Sequence, residues 1–406
     1  MKTLSFIISL CTLLLMVVVP AEGQVKQQPI LVGLDAAFGL ANSTSAPALS
    51  KGAQVAIHQI NQAGGVLGGR PLELVIRDNR SISARGIRNF EELANLDNLV
   101  AVIGSRFSAT VMPQAKLAQE KKTLLLAAWS AANSITDRIP GPHAEPSYVF
   151  RLSLRDSLAM PVMLKHASEQ GVERVGLMLL ATAWGRSNEH SVQDYIERTG
   201  KPTVVHTNWI HWREENYQAK YREHLDAGAD AVIIVGNDEE VARLVNTIAG
   251  HLPTKRLPVI SHWGVTGGDF IGQLTVADAL EKVDLSLVQT FSFYTAKPAK
   301  VIEILEVTNK LFGISRAEDI PAPVGFAHAY DLVHILARAI ELAGTADRTA
   351  VRNALEHVRD YEGLVRHFPQ PFTPDDHEAL KLGDVFMARY RADGVIVPLT
   401  LIESGR

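Results

Sequence analysis

"NQAGGVLGGRPLELVIRDN", residues 61–79, decides the fold. Four glycines (Gly64, Gly65, Gly68 and Gly69) fall within six positions, and an apolar stretch follows them. A glycine cluster beside a strand is either a phosphate cradle or a turn. A dinucleotide fingerprint places its glycines after a strand and before a helix, so that the helix N-terminus faces the pyrophosphate. Here the order is reversed. Residues 47–63 carry Leu49, Ala53, Ala56, Ile57 and Ile60 at helical spacing, and "LELVIR" (72–77) alternates as a strand. The glycines therefore end a helix and turn the chain into a strand, with Gly64 free to take the left-handed conformation. A phosphate would meet the negative end of the helix dipole there.

The alternation extends in both directions. "PILVGL" (29–34) is a strand before the helix, and "ISARGIRNFEELAN", "LVAVIG" (99–104), "ATVMPQAKLAQEK" and "TLLLAA" continue as helix, strand, helix and strand. The rhythm restarts after "YVFRL" (148–152). A helix at 156–170, "RVGLMLL" (174–180), a helix at 186–199, "PTVVHTNW", "YQAKYREHLDAG", "DAVIIVG" (230–236), "DEEVARLVNTIAG" and "LPVISHW" (257–263) follow. Such alternation predicts parallel sheets covered by helices on both faces, and two runs predict two such domains. "DRIPGPHAEPS" (137–147) is a crossover candidate. Beyond it, "LVQTFSFY" (287–294) reads as strand then loop, with helices at 298–313, 324–343 and 347–357 and a closing hairpin that turns at Asp393-Gly394.

Residues 1–23 read as a secretory leader: Lys2, an apolar run over Leu4–Val19, then Pro20 and Ala21-Glu22-Gly23, with cleavage before Gln24. The run is shorter than the roughly 20 apolar residues that a membrane span prefers. The single cysteine, Cys11, lies inside the leader. A chain of this size buries enough surface without disulfides. Removing Lys2 and Glu22 from the 40 basic and 44 acidic residues leaves 39 and 43, still −4. That balance, without a basic block, argues against a nucleic-acid partner. No glycine-lysine phosphate loop, nucleophile elbow or His-Glu-x-x-His is present, and the 14 histidines match no zinc spacing. The reading is of a soluble exported protein, large enough for two domains, with no metal and no cofactor.

"GAQVAIHQINQAGGVLGGRPLELVIRDN" (52–79) resembles the N-terminal signature of type I periplasmic solute-binding proteins, in their Leu/Ile/Val-binding branch. Further matches, in order along the chain, are residues 99–136, "YVFRLSLRD" (148–156), "WGRSNEHSV" (184–192) and "AHAYDLVHILARAIELAG" (327–344). The resemblance implies two doubly wound α/β lobes joined by three crossovers. Lobe one would be 24–149 plus 292–365, and lobe two 150–291 plus 366–406. It implies a solute held between the lobes, closure on binding, and delivery to the permease and ATPase of an ABC importer. A periplasmic, monomeric receptor is the expectation. A sensing module for a receptor or kinase, and an exported α/β enzyme, stand as alternatives.

The resemblance also implies a site at strand-to-helix loops, where ligands meet parallel sheets. In "GSRFSAT", Ser108 matches the family's ligand-binding serine, and Arg106 is either a carboxylate clamp or an interlobe salt bridge. In "AAWSAANSIT", Trp129, Ser130 and Ala131 stand at a contact loop, with alanine where the family has a threonine. Trp184 takes the place of a stacking tyrosine. Asn237 replaces another tyrosine, and Trp263, beside His262, replaces the acidic residue that pairs with an amino acid's ammonium group. Asp35 and Asp238 are the candidate substitutes for that charge. Three tryptophans at cleft loops suggest an aromatic box, or simply hinge packing. A small carboxylate with an apolar or aromatic body fits best; an α-amino acid stays open.

Overall fold

The computed structural model of the protein describes residues 27–137 and 145–403. The expected leader lies outside them, as do residues 138–144 of the crossover candidate. The first run is β1 (Ile30–Ala36), α1 (Ser45–Gln62), β2 (Leu72–Asp78), α2 (Ser83–Ala94), β3 (Leu99–Gly104), α3 (Ser108–Glu120), β4 (Leu124–Ala127) and β5 (Val149–Arg151). Its sheet has the order β2-β1-β3-β4-β5, parallel throughout. Every residue of β3 and β4 is buried. Helices cover both faces, which is why these strands read as unbroken apolar runs instead of alternating ones.

The second run is α4 (Asp156–Glu169), β6 (Arg174–Leu180), α5 (Ala183–Thr199), β7 (Thr203–Ile210), α6 (Tyr217–Asp226), β8 (Ala231–Val235), α7 (Asp238–Ala249), β9 (Val259–Ser261), α8 (Ala279–Lys282) and β10 (Leu285–Gln289). Then come α9 (Pro298–Phe312), α10 (Pro323–Ala343), α11 (Arg348–Leu355), the short pair β11 (Tyr361–Glu362) and β12 (His367–Phe368), the hairpin β13 (Phe386–Tyr390) and β14 (Ile396–Pro398), and α12 (Leu399–Glu403). The second sheet has the order β14-β13-β10-β9-β8-β6-β7. The hairpin is antiparallel and adds to the edge of a parallel core. It turns at Asp393-Gly394 as expected, with Gly394 at φ 82°.

The quoted glycines form a turn. α1 stops at Gln62, Gly64 and Gly65 have φ of 108° and 75°, and Val66 and Arg70 exchange two backbone hydrogen bonds of 2.8 Å before β2 begins. An added Cβ at Gly64 would meet nothing within 4 Å. Glycine is needed there for its dihedral angle and not for space.

α10 returns to the first sheet and packs along α1. The two backbones approach so closely that a Cβ on Gly52 would lie 2.1 Å from the Phe326 carbonyl oxygen. The Arg348 guanidinium, at the start of α11, donates to the carbonyls of Leu99 (2.7 Å) and Leu96 (3.0 Å) and to the Thr123 hydroxyl (2.9 Å), tying α11 to the same sheet.

Two expected limits lie beside contacts with the first sheet. The break at 149/150 falls inside β5, which pairs with β4 of the first sheet. The break at 365/366 precedes others: the Phe150 ring touches Phe372 (5.0 Å) and His377 (3.7 Å), and Ala379 donates its N–H to the Arg151 carbonyl at 2.9 Å. Residues 149–151 and 372–379 thus contact the first sheet. Both segments are too short, and too dependent on distant partners, for periodicity to place them.

Candidate functional site

The loops that follow β3, β4, β6, β8 and β9 converge where the two sheets face one another. They enclose a cavity of about 110 Å³ at the seam. Its walls come from both lobes: Arg106, Ser108 and Trp129 from the first, and Trp184, Asn237 and Trp263 from the second.

Ser108 is the first residue of α3, with Phe107 as its cap. Its hydroxyl oxygen accepts the Ala132 N–H at 3.2 Å, which ties two cleft loops together and leaves the hydroxyl proton for another acceptor. The first N–H groups of α3 have no carbonyl within the helix to bind, and the dipole there favours an anion. Ala131 lines the cavity beside it.

Two indoles form one wall. Trp129 and Trp263 lie 6.0 Å apart, tilted by 58°, and both are buried. Behind Trp263 is His328, whose Nδ1–H donates to the Ala128 carbonyl (2.8 Å) while Nε2 accepts from the Thr290 hydroxyl (3.0 Å). Burial pushes His328 down to about 4, so the ring is neutral and its tautomer is set by the carbonyl.

Trp184 forms the opposite wall. Its indole N–H donates to Asp156 Oδ1 at 3.1 Å, and its ring meets His262 edge-on at 5.0 Å. His262 Nε2 lies 3.2 Å from the same carboxylate oxygen, both side chains being fully buried. Asp156 Oδ2 has no partner. Asp156, at the start of α4, thus holds Trp184 from behind without lining the cavity. Sequence reasoning passed over it, although it closes the matched segment "YVFRLSLRD".

Arg106 crosses the seam. Its Nη2 donates to Asp238 Oδ1 at 3.1 Å, joining the loop after β3 to the start of α7, and its guanidinium stacks on Phe107 at 4.5 Å. Burial lowers its pKa, and Asp238 opposes that shift. The interlobe salt bridge uses only Nη2; Nε and Nη1 are buried at the cavity wall with no hydrogen-bond partner among the described residues, so both readings of Arg106 stand. Backbone contacts reinforce the salt bridge: Thr44 N–H donates to the Gly267 carbonyl (3.1 Å) and Asp269 N–H to the Asn42 carbonyl (3.0 Å).

Three candidates lie elsewhere. Asp35 is fully buried, and its carboxylate accepts from the side-chain amides of Asn79 (2.9 Å), Asn89 (2.7 Å) and Gln114 (2.5 Å). Burial drives its pKa up to about 6 against those three bonds. Ser130 is buried behind Trp129 with an unpartnered hydroxyl, and His262 sits behind Trp184. Phe107, Thr182 and Trp212 line the cavity without having been singled out there; Trp212 is half exposed and reaches across to Phe107 at 6.1 Å.

A family model described as "periplasmic binding protein" matches residues 34–394. The chain belongs to that family, and its fold is that of the type 1 periplasmic binding proteins. The resemblance read from residues 52–79, and the two-lobed parallel α/β fold it implies, are both borne out. The chain is similar to the leucine-, isoleucine-, valine-, threonine- and alanine-binding protein of Pseudomonas aeruginosa, with 24% identity over 307 residues, 75% of this chain and 76% of that one. It is similar in structure to the Streptococcus pneumoniae branched-chain amino acid transporter substrate-binding protein in complex with isoleucine (TM-score 0.74, 21% identity, 91% of this chain and 97% of that one). It is also similar to an R. palustris ABC transporter solute-binding protein in complex with 4-hydroxybenzoate (TM-score 0.72, 18% identity, 92% and 95%). The family is one of periplasmic solute-binding proteins.

Proposed function

We propose that the protein is an exported receptor that captures a small carboxylate with an aromatic or branched apolar body, and delivers it unchanged to an ABC importer. The observation that carries this is the seam cavity, with a serine-bearing helix start on one side and indole walls from both lobes around it. Its volume, about 110 Å³, is below the roughly 150 Å³ that holds benzene in an engineered cavity, so one small ring or branched side chain is the upper limit for the body of the occupant.

The character of the head group follows from charge. No carboxylate lines the cavity. Asp35 is occupied by three amides, and Asp238 by Arg106 and by Gln273 Nε2 at 2.9 Å. An α-ammonium group would be buried without a counter-charge, at a cost of several kcal/mol. The site therefore favours an acid without that group over an α-amino acid. Ser108, Trp129, Ala131, Trp184, Asn237, Trp263 and Arg106 form the wall, and Ser130, His262 and Asp35 support it from behind. Lobe one is 27–151 plus about 290–380, and lobe two is the remainder. The interlobe bonds of Arg106, Thr44 and Asp269 belong to the closed form, and opening about the three crossovers admits the solute. Residues 1–23 direct the chain to the periplasm, where it acts as a monomer.

The test is a thermal-shift panel of benzoate, 4-hydroxybenzoate, isoleucine, phenylalanine and simple sugars. A ligand at 100 times its Kd stabilises the protein by about 2.7 kcal/mol. Benzoate-type acids are expected to raise Tm most, and mass spectrometry of the recovered acid should find it intact. A shift given by sugars alone, or a chemically altered acid, overturns the proposal.

A further inference from the structure

A second and larger cavity, about 230 Å³, lies on the far side of the 263–267 turn and shares no lining residue with the seam cavity. Its walls also come from both lobes. Thr44 and the segment before α10, including Ile320 and Ala322, belong to the first. Phe270, Tyr390 and the hairpin residue Val395 belong to the second, and Phe293 and Tyr294 lie on the crossover after β10. The cavity is thus set at the flank of the hinge, and its shape depends on the angle between the lobes.

Its chemistry is opposite to that of the seam. Tyr390 stacks on Phe270 at 4.9 Å, and Phe293 packs edge-on against Phe291 at 4.9 Å, so ring faces and edges dominate the walls. The lining contains no Lys, Arg or His, but contains Asp269 and Glu318. The Asp269 carboxylate accepts one N–H, from Gly272 at 2.9 Å, and has no ion-pair partner among the described residues. Glu318 accepts the Tyr294 hydroxyl at 3.1 Å and pairs with Arg316 at 3.6 Å. Arg391, the other nearby cation, is taken by Asp393. The Thr44 hydroxyl is buried and has no partner. Carboxylates and aromatic rings sharing one cavity, with a shielded hydroxyl oxygen able to accept, suit a cation.

We infer that this cavity is a second solute site, one that takes a small organic amine with a ring-sized apolar body. The ammonium group sits toward Asp269 and Glu318, the ring lies against Phe270, Phe293 and Tyr390, and the Thr44 hydroxyl accepts or donates at its edge. Because the walls come from both lobes, the occupant binds the closed form better than the open one. By linkage it raises the affinity of the seam for its own ligand, and the seam ligand does the same in return.

The experiment is calorimetric titration of the mature chain with phenethylamine and, as the control of equal size and opposite charge, phenylacetate. The amine should bind saturably at one site. Asp269→Asn with Glu318→Gln should weaken it by about tenfold or more. Val395→Trp, which fills the cavity, should abolish it, with circular dichroism verifying the fold and Tyr294→Ala as a second, milder variant that also weakens it. Trp184→Ala, in the seam, should leave amine binding unchanged, which separates this site from the first. The inference is overturned if the amine does not bind, if it binds equally after both sets of changes, if Trp184→Ala removes it, or if phenylacetate competes for the same place. Failure of benzoate to bind the wild type would count against the seam proposal alone.

Discussion

Trp184 is where the site's geometry makes its strongest demand, because the ring has two separable roles. One face walls the cavity, and the N–H holds the buried Asp156 carboxylate at 3.1 Å. Trp184→Ala removes both. If the ligand covers about 50 Å² of the ring, the lost apolar contact is about 1.3 kcal/mol, or close to tenfold in Kd. The orphaned carboxylate, whose Oδ2 already lacks a partner, should cost a further 1–3 kcal/mol of folding stability, roughly. Trp184→Phe separates the roles: it keeps most of the ring but removes the donor. Stability should fall nearly as far as in the alanine variant, while affinity falls by roughly threefold or less. Titration calorimetry with the best acid from the panel, alongside urea unfolding, measures the two quantities independently. Asp156→Asn, which keeps an acceptor for the indole, should lose less stability than Trp184→Phe and keep an affinity near that of the wild type. Wild-type affinity in Trp184→Ala would refute the seam as the binding site, and unchanged stability in Trp184→Phe would refute the role given to Asp156.

Other consequences concern the scaffold. The Asp35 carboxyl, pushed up to about 6 by burial, holds its proton more tightly in the folded chain than in the unfolded one; its contribution is present below about pH 4 and is lost as the pH rises through 6, by roughly 3 kcal/mol. Asp35→Asn should therefore flatten the fall in urea-unfolding free energy between pH 4.5 and 7.5, and an unchanged profile would refute the assignment. Arg106→Ala strands the buried Asp238, so stability of the closed form should drop by about 3–5 kcal/mol, while Arg106→Ala with Asp238→Ala should lose less than either single change implies. Gly325→Ala places a Cβ 2.3 Å from the Trp129 ring and should weaken acid binding by severalfold through that wall, measurable by calorimetry. Gly52→Ala, against the Phe326 carbonyl, should lower Tm by separating α1 from α10, with little effect on affinity in the protein that remains folded.

Much of this was legible in the chain. The order of helix and strand around Gly64–Gly69 excluded a phosphate loop, because helix polarity is fixed by chain direction. The two βα runs determined parallel sheets, since apolar periodicity is a property of neighbouring residues. The same order placed Ser108, Trp129, Trp184 and Trp263 on loops at the carboxyl ends of strands, where they do meet. What the sequence left undecided depends on partners far apart along it. The pairing of Arg106 Nη2 with Asp238, 132 positions away, could not be read from either loop alone. Asp35 was a candidate counter-charge until three amides from different elements took it up. Residues 149–151 pair with β4, and 372–379 pack on them; pairings between segments this far apart along the chain have no local pattern to encode them. Asp156 and the hinge-flank cavity exist only once the lobes are brought together. Local propensity and periodicity fix the elements, whereas desolvation and pairing across the seam, which require the assembled tertiary structure, decide what each polar side chain does.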